Sequence, residues 1–273
     1  MGTTTRPATR NGLVEWLWRA APPVGAFVVF VALWQVVVTL LRVPHYLLPT
    51  PSLIVGAWVD RIDILLVALS STFLSALCGF GLSIVVGMAV ALVMSQSKLL
   101  ERSLYPYAIL LQTIPIVAIA PLIVIWVGAG MPAVVIIAFL ISLFPIITNT
   151  TTGLTSTDHN LVSMFELYNA SWWQRMAKLR LPFALPYVMT GLRISSGLAV
   201  IGAIVGEFIA GIGGLRGGLG YVIVSAANRL EMAYLFAAAL TSSLLGIIIF
   251  IGVSLVSARF LRHWHESAIQ RDM

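Results

Sequence analysis

Long apolar runs alternate with short polar segments along the whole chain, and this pattern predicts membrane-spanning helices. A run of about 20 apolar residues is the length at which a helix crosses roughly 30 Å of hydrocarbon. The strict alternation of a membrane β-barrel strand is missing, so helices are expected. The predicted spans cover residues 21–42, 68–95, 105–128, 131–151, 187–210 and 234–258. We therefore expect an all-α integral membrane protein with six transmembrane helices.

The polar segments divide this chain without adding a soluble domain. We expect a cytoplasmic N-terminal segment at 1–20, a transmembrane domain at 21–258 and a cytoplasmic tail at 259–273. Between the first two spans, "PHYLLPTPSLIVGAWVDRID" is broken by prolines and predicts an interfacial helix that begins at Thr50 or Ser52.

Composition supports a membrane protein, since 59% of the residues are hydrophobic, 10% are charged and the mean hydropathy is +0.99. The net charge of +6 comes from basic residues scattered beside the spans, which is typical of cytoplasmic loops rather than of a nucleic-acid surface. With the N-terminus inside, 12 lysines and arginines, Arg193 included, fall on the cytoplasmic side and 4 on the other. This asymmetry predicts that both termini are cytoplasmic.

The longest internal polar segment, residues 152–186, predicts two short helices joined by a break. In "DHNLVSMFELY", Asp158 is a suitable N-cap, and apolar residues recur at helical spacing on one face: Leu161, Met164, Phe165 and Tyr168. The break falls at Asn169. Ser171 and Gln174 then have the spacing of a capping box, which predicts the start of a new helix.

The second helix of this segment combines apolar and cationic side chains. They are Trp172, Trp173, Met176 and Leu179, and Arg175, Lys178 and Arg180. Pro182 and Pro186 are expected to end this helix and start the fifth span. Spacing alone leaves two interpretations equally open: an interfacial helix on anionic lipid, or a docking site for a partner protein.

The stretch "NASWWQRMAKLRLPFALP" resembles the cytoplasmic EAA loop of ABC importer permeases. Leu179, Leu181 and Pro182 match the Ile-x-Leu-Pro end of that motif, and Asn169 stands at its glycine, where a left-handed backbone suits either residue. Residues 163–165 stand where Glu-Ala-Ala is expected, so the first half of the motif has diverged. Glu166 lies three residues further along from the position of the missing glutamate.

Further blocks resemble the nitrate, sulfonate and bicarbonate branch of these permeases, which includes taurine permeases. They are "LPTPSLIVGAWVD", "LERSLYPYAILLQTIPIVAIAPLIVIWVGAG", "FPIITNTTTG", "NASWWQRMAKLRLPFALPYVMTGLRI" and "IVGEFIAGIGGLRGGLGYVI". The resemblance implies a type I ABC importer permease fold in a bacterial or archaeal cytoplasmic membrane. It also implies a coupling helix that receives force from a separate ATP-binding subunit.

The residues expected to couple this chain to an ATPase are Glu166, Asn169, Ala170, Ser171, Trp172, Trp173, Gln174, Arg175 and Met176. The resemblance further implies a second permease subunit, expected to be an identical copy, and an external substrate-binding protein near residues 43–67 and 211–232. No catalytic residue, metal or cofactor is expected. The solute would be an anion such as nitrate, a sulfonate or bicarbonate, or a precursor of thiamine or flavin.

Several polar or helix-bending residues inside the spans are candidates for the translocation path: Gln112, Thr113, Pro115, Asn149, Thr150 and Glu207. The amide and hydroxyl groups are expected to face the protein interior, where they either bond between helices or line the path. Glu207 lies near the outer end of the fifth span. It either takes part in the path or its gating, or reaches water at the helix end.

Two other motifs carry weaker interpretations. "GIGGLRGGLG", residues 211–220, lacks the Lys-Ser/Thr of a phosphate loop and predicts an exposed turn. His263 and His265 are two residues apart and therefore lie on different helix faces, which argues against a metal site. The alternative functions are an ion-coupled secondary transporter, which needs ionic sites that these spans lack, and, less favoured, a membrane enzyme.

Overall fold

The chain is helical throughout its regular segments in the computed structural model, which describes residues 12–211 and 217–269 and the side chains of 21–211 and 217–261. The first six helices are α1 Gly12–Leu40, α2 Pro51–Asp60, α3 Ile62–Met94, α4 Lys98–Thr113, α5 Ile116–Val127 and α6 Met131–Thr155. They are followed by α7 His159–Leu167, α8 Trp172–Arg175, a π-helical turn Met176–Arg180, α9 Leu181–Ala210, α10 Leu219–Asn228 and α11 Met232–Ile269. Arg216, His263 and His265 lie outside the described side chains.

Within these described residues, five helices are long and apolar enough to cross a membrane. The third predicted span, 105–128, is not one straight helix, because α4 and α5 meet at an angle of 93°. The bend falls where Ile114 is extended and Pro115 precedes the first turn of α5. A proline has no N–H to donate and disfavours helical backbone in the residue before it. By contrast, the chain remains helical through Pro106, Pro121 and Pro145.

The centre of the bundle is α6, which lies between α3 and α9. A Cβ atom built on Gly79 of α3 would lie 2.6 Å from Cβ of Ala138, and one built on Gly202 of α9 would lie 2.7 Å from Cα of the same residue. Such distances leave no room for a side chain, so the backbones of the three helices approach one another directly. Small residues at helix contacts produce this close packing in membranes.

These contacts also give the helix directions and define two ends of the bundle. Residue numbers increase in the same direction along the contact between α3 and α6, from Gly79 beside Ala138 to Gly87 beside Ile146, so the two helices are parallel. Along the contact between α6 and α9 the residue numbers change in opposite directions, so α9 is antiparallel to both. We call the end at which α6 ends and α9 begins the loop end, and the other the opposite end.

A line of buried serines fixes the register of the three central helices. The hydroxyls of Ser83 on α3 and Ser142 on α6 are hydrogen-bonded at 2.6 Å, and Ser83 also donates to the carbonyl oxygen of Phe139. Ser195 on α9 donates to the carbonyl oxygen of Ser142 at 2.6 Å. Because these groups are completely buried, their bonds satisfy polar atoms that lipid would not.

Residues Trp172–Ala210 form one continuous helical stretch of 39 residues. The prediction that Pro182 and Pro186 separate a short helix from the fifth span is therefore wrong. In the π-helical turn the N–H of Leu181 donates to the carbonyl oxygen of Met176, five residues earlier. This wider turn carries one extra residue, which accommodates Pro182 directly after it without breaking the helix.

The short helix α2 begins after Thr50, as predicted, although the Thr50 side chain does not cap it. The N–H of Ser52 in its first turn donates instead to Oε1 of Gln35 on α1 at 3.2 Å. Helix α2 packs against the bundle, since Nε1 of Trp58 donates to Oγ1 of Thr241 on α11 at 3.0 Å. The helix is thus a fixed part of the opposite end.

We expect Gly79→Ala to destabilise the bundle, because the added methyl group would overlap Ala138 and force α3 away from α6. Overpacking of this kind costs about 1–3 kcal/mol. The measurement is the thermal unfolding midpoint of the purified protein in detergent. Gly81→Ala on the same helix is the control, because a Cβ there meets no atom within 4 Å. Equal midpoints for the two variants would contradict the proposed packing.

Candidate functional site

A helical hairpin, residues 158–180, projects from the loop end. Asp158 caps α7, accepting from the N–H of Asn160 at 2.8 Å as predicted. After α7, Asn169 has φ +50°, and the N–H of Ala170 donates to the carbonyl oxygen of Phe165 at 2.9 Å. This is the Schellman pattern of a helix end, in which a left-handed residue reverses the chain. The predicted break at Asn169 is confirmed.

The second arm of this hairpin begins with the predicted capping box. The N–H of Gln174 donates to Oγ of Ser171 at 3.3 Å, and the N–H of Ser171 donates to the side-chain oxygen of Gln174 at 2.8 Å. Across the turn, Nη1 of Arg175 donates to Oε1 of Glu166 at 2.6 Å and forms an ion pair. The two arms are therefore held together by a charge-assisted bond as well as by their caps.

The turn of the hairpin exposes large apolar side chains. Leu167 is 83% exposed, Tyr168 82% and Trp173 72%, while α7 has no buried residue. Trp172 faces inward instead and packs with buried Met176. The two tryptophan rings meet edge to face with centroids 4.7 Å apart. A rigid turn therefore presents an apolar surface that nothing else in the described chain covers.

The predicted cationic surface of the second arm is smaller than expected. Nη1 of Arg180 donates to the carbonyl oxygen of Ser95 at 3.2 Å and is thereby fixed to the end of α3. Arg175 pairs with Glu166, so Lys178 is the cation of this arm that is exposed and has no partner among the described residues. A small cavity of about 200 Å³ lies beneath, lined by Gln96, Trp172, Arg175, Met176 and Arg180.

At the opposite end, Glu207 is buried and joins three helices. Its Oε2 accepts from Oγ1 of Thr72 on α3 at 2.9 Å and from the N–H of Gly220 on α10 at 2.8 Å. The N–H of Leu219 donates to Oγ1 of Thr72 at 2.8 Å. Glu207 is only 4% exposed, so it does not reach water as one interpretation expected. We call this arrangement the Glu207 junction.

The Glu207 junction supplies what the first turn of α10 lacks. The first N–H groups of a helix have no partner within the helix, and an acidic side chain also suits the positive end of the helix dipole. A Cβ built on Gly218 would overlap the carboxylate of Glu207, and one on Gly220 would lie 2.5 Å from the carbonyl oxygen of Ile204. Residues 217–220 are buried, so the exposed turn predicted for 211–220 is wrong there, while 212–216 are outside the described residues.

A second link at this end joins the α2–α3 junction to the start of α11. Nη1 of Arg61 donates to Oε2 of Glu231 at 2.5 Å, and its guanidinium lies 4.4 Å from the ring centre of Tyr234. This bond lowers the pKa of the Glu231 carboxyl and raises the pKa of Arg61. Both side chains are more than a third exposed, so water screens the pair and its contribution to stability is small.

The polar candidates inside the spans are not brought together. Gln112 and Thr113 are exposed on this chain rather than interior, because α4 lies at the edge of the bundle. Asn149 faces inward, but its Nδ2 donates to the carbonyl oxygen of Pro145 in its own helix rather than to another helix. Thr150 is buried, with no hydrogen-bond partner for Oγ1 among the described residues.

A cavity of about 380 Å³ opens between α4, α5, α6 and α9. Gln112 contributes its polar side chain, whereas the other lining residues are apolar, and Asn149, Thr150 and Glu207 do not line it. Sequence reasoning missed Thr72, which completes the Glu207 junction. A single threonine in an apolar span gives no signal, because its partners lie 135 and 147 residues away along the chain.

The known proteins that this chain is similar to are membrane components of transport systems. Residues 83–263 match the family described as "Binding-protein-dependent transport system inner membrane component". The riboflavin transport system permease protein RibX of Chloroflexus aurantiacus is 32% identical over 270 residues, which cover 96% of this chain and 99% of the relative. The formylaminopyrimidine transport permease protein ThiX of Halalkalibacterium halodurans is 35% identical over 237 residues, 86% of this chain and 93% of the relative.

Solved structures of an ABC transporter are similar in fold. An inward-facing conformation of the MetNI methionine ABC transporter has a TM-score of 0.62 at 17% sequence identity. The similarity covers 75% of this chain and 97% of the other.

We expect Glu207→Ala to lower the thermal unfolding midpoint, because it leaves the N–H of Gly220 buried without an acceptor. An unsatisfied buried donor costs about 1–3 kcal/mol. Glu207→Gln should stay within about 1 kcal/mol of the parent chain, since an amide oxygen still accepts from Gly220 and Thr72. Thermal unfolding in detergent measures both changes. Glutamine behaving like alanine would show that the charge, rather than the bonding pattern, is required.

Proposed function

Because the chain belongs to the family of binding-protein-dependent transport inner-membrane components, we propose that a separate ATPase drives it by docking on the hairpin of residues 158–180. The chain is the membrane-spanning permease subunit of an ATP-driven importer, and the resemblance predicted from its sequence is confirmed. The fold is that of a type I importer permease. ATP hydrolysis belongs to the partner subunit, so this chain is not itself an enzyme.

The observation that carries the docking proposal is the apolar turn of the hairpin. Tyr168 and Trp173 stand on a turn ordered by a Schellman end, a capping box and an ion pair, so little conformational entropy is lost when a partner covers them. A lipid-binding surface would instead carry an excess of positive charge. Here Asp158 and Glu166 offset two of the three cations of the hairpin, and the third, Arg180, is fixed to the carbonyl oxygen of Ser95. This near balance favours a protein partner over anionic lipid.

The predicted coupling residues divide into two roles. Trp173 contacts the ATPase directly, together with exposed Leu167 and Tyr168. The remaining residues shape the turn or fix it to the bundle: Glu166, Asn169, Ala170, Ser171, Trp172, Gln174, Arg175 and Met176. Met176 and Trp172 pack with Leu154 and Ala184, near the ends of α6 and α9. Displacement of the hairpin is thereby passed to both central helices.

This assignment places the loop end in the cytoplasm, with both termini on that side. The opposite end then receives an external substrate-binding protein near α2 and α10. A second permease subunit, most simply an identical chain, completes the path. Gln112, Thr113 and Pro115 are assigned to the path because they border the exposed bend between α4 and α5. Asn149 and Thr150 support α6, and Glu207 holds the Glu207 junction.

The solute that the cavity suits best is an uncharged aromatic heterocycle. Its described lining holds Gln112 and otherwise apolar side chains, with no charged group to balance nitrate, a sulfonate or bicarbonate. The relatives named for riboflavin and formylaminopyrimidine transport are heterocycle transporters by their names. We therefore favour a flavin- or pyrimidine-type vitamin precursor as the solute of this chain.

An ion-coupled secondary transporter is the rejected alternative. Such a protein requires polar or charged ion sites near the middle of the membrane. Glu207 is engaged by Thr72 and the N–H of Gly220 near the end of α9, and the central serines bond to one another. Uptake by vesicles that hold this chain and no ATPase would overturn the proposal.

We expect Trp173→Glu to reduce co-purification of the ATP-binding subunit by about tenfold or more, because a charge replaces an exposed apolar contact. A tenfold loss corresponds to about 1.4 kcal/mol of binding free energy. Co-purification from membranes and ATP-dependent uptake in proteoliposomes measure the effect. The thermal stability of the isolated chain should not change, since Trp173 is 72% exposed.

Leu99→Glu is the matched control for that experiment. Leu99 is 76% exposed at the same end of the bundle but lies on α4 rather than on the hairpin. Its variant should retain the ATPase. Normal complex yield and uptake in Trp173→Glu would remove the hairpin from the docking surface.

Uptake should be inhibited by heterocycles and not by small anions. In proteoliposomes containing the permease, its ATPase and its binding protein, we expect excess riboflavin or a thiamine-type pyrimidine to compete for transport, whereas nitrate and alkylsulfonates do not. Gln112→Glu should lower uptake by about tenfold or more, because it places an unpaired charge in an apolar cavity. Inhibition by sulfonate with no effect of heterocycles would reverse the assignment of the solute.

A further inference from the structure

An arginine lies inside the membrane-spanning part of α9. Arg193 is 17 residues from the end of that helix at Ala210, which is about 25 Å at 1.5 Å per residue. This distance falls within the roughly 30 Å of hydrocarbon, toward the loop end. From its sequence position Arg193 was counted on the cytoplasmic side, but α9 continues well beyond this residue in both directions.

Arg193 has unused hydrogen-bond donors. Its Nη2 donates to Oγ of Ser257 on α11 at 3.2 Å, while its Nε is buried with no acceptor among the described residues. Neither of the two ion pairs in the described part of the chain includes it. Ser254, one turn from Ser257 on the same helix, has a buried hydroxyl that also lacks a described partner. A guanidinium at this depth is stabilised by an anion or by further hydrogen-bond acceptors.

A largely apolar groove runs along α9 and α11, beginning at Gly197, one turn beyond Arg193. It has a volume of about 370 Å³, and it is lined by Gly197, Val200, Ile201 and Ile204 of α9 and by Ser242, Ser243, Gly246, Ile247 and Phe250 of α11. On α9 the lining residues follow Arg193 by 4, 7, 8 and 11 positions, so they share its helix face. Along α9, Arg193 and the far end of the groove at Ile204 are about 16 Å apart, close to half the thickness of the hydrocarbon.

Glycines keep this groove open. A Cβ built on Gly197 would meet no atom within 4 Å, and one on Gly246 would approach only a methyl group of Val200, at 3.9 Å. These glycines therefore differ from Gly202, which allows close contact with α6. The groove is also separate from the cavity proposed for the solute. Leu198 lines that cavity and stands five residues from Arg193, about 140° around the helix.

We propose that an anionic phospholipid binds between α9 and α11. Its phosphate accepts hydrogen bonds from the half-buried Arg193 guanidinium, which Ser257 holds in place, and one acyl chain lies along the groove toward Ile204. The dimensions match a lipid of the leaflet at the loop end, with the phosphate at the boundary and the chain reaching the middle of the bilayer. Basic pockets between membrane helices bind acidic headgroups in this way.

The proposal is tested with the full-length chain, purified in mild detergent with its accompanying subunits, by native mass spectrometry of bound lipid. We expect phosphatidylglycerol to be retained in preference to phosphatidylcholine. In nanodiscs, it should raise the thermal unfolding midpoint relative to phosphatidylcholine alone. Arg193→Ala and Gly197→Leu should each reduce retention by about tenfold, the first by removing the cation and the second by filling the groove.

Two variants separate this site from general charge effects and from misfolding. Arg193→Lys should retain part of the binding if the chain folds, and Arg259→Ala is the control, because Arg259 is an exposed arginine of α11 near the same end. Equal retention in Arg193→Ala, Gly197→Leu and Arg259→Ala would overturn the proposal.

Two other outcomes would assign the site to a different occupant. Glycerol phosphate has no acyl chain, so if it stabilised the protein as much as phosphatidylglycerol does, the site would bind a soluble anion. A changed oligomeric mass in Gly197→Leu would instead assign the groove to a second copy of the chain.

Discussion

The direct contact of the α6 backbone with α3 and α9 is the interaction on which the other features depend. Gly79 and Gly202 both meet Ala138, and the serines at 83, 142 and 195 bond across the same three helices. Packing at this distance leaves no flexible side chains between the helices to absorb a displacement. The hairpin connects the end of α6 to the start of α9, so it is attached to two members of one rigid unit. Force applied at the hairpin therefore acts on this unit as a whole.

The two ends of the bundle are held together by different chemistry. At the loop end, Glu166 and Arg175 form an exposed pair, and the hairpin depends on local caps within a short stretch of sequence. At the opposite end, the Glu207 junction is buried and joins residues that are far apart along the chain. Local caps form independently of the rest of the fold, whereas the Glu207 junction exists only once α3, α9 and α10 have assembled.

This difference explains what could be predicted from the sequence. Five of the six spans, the N-cap at Asp158, the left-handed Asn169 and the Ser171–Gln174 box follow from apolar run length and from residues a few positions apart, and the structure has them. The remaining span, 105–128, is bent by 93° between α4 and α5. The role of Thr72 could not be predicted, because it depends on tertiary contacts. The continuity of the helix through Pro182 was also missed, since the usual rule assumes an α-helical turn before proline rather than a π-helical one. Arg193 was counted on the cytoplasmic side although it lies within the predicted span 187–210, because charge counting ignores how far a helix extends.

The uninterrupted helix from Trp172 to Ala210 has a mechanical consequence. At 1.5 Å per residue its 39 residues measure about 58 Å, so a single rod runs from the hairpin to the Glu207 junction. A rod held by backbone contact with α6 has few degrees of freedom, and it can tilt or turn about its axis but can scarcely shorten. The π-helical turn at Met176–Arg180 is the irregular section of this rod. Its extra residue rotates the side chains of α9 about the helix axis relative to those of α8. Any rotation of this rod at the hairpin would therefore change the azimuth of every side chain that α9 presents to its neighbours.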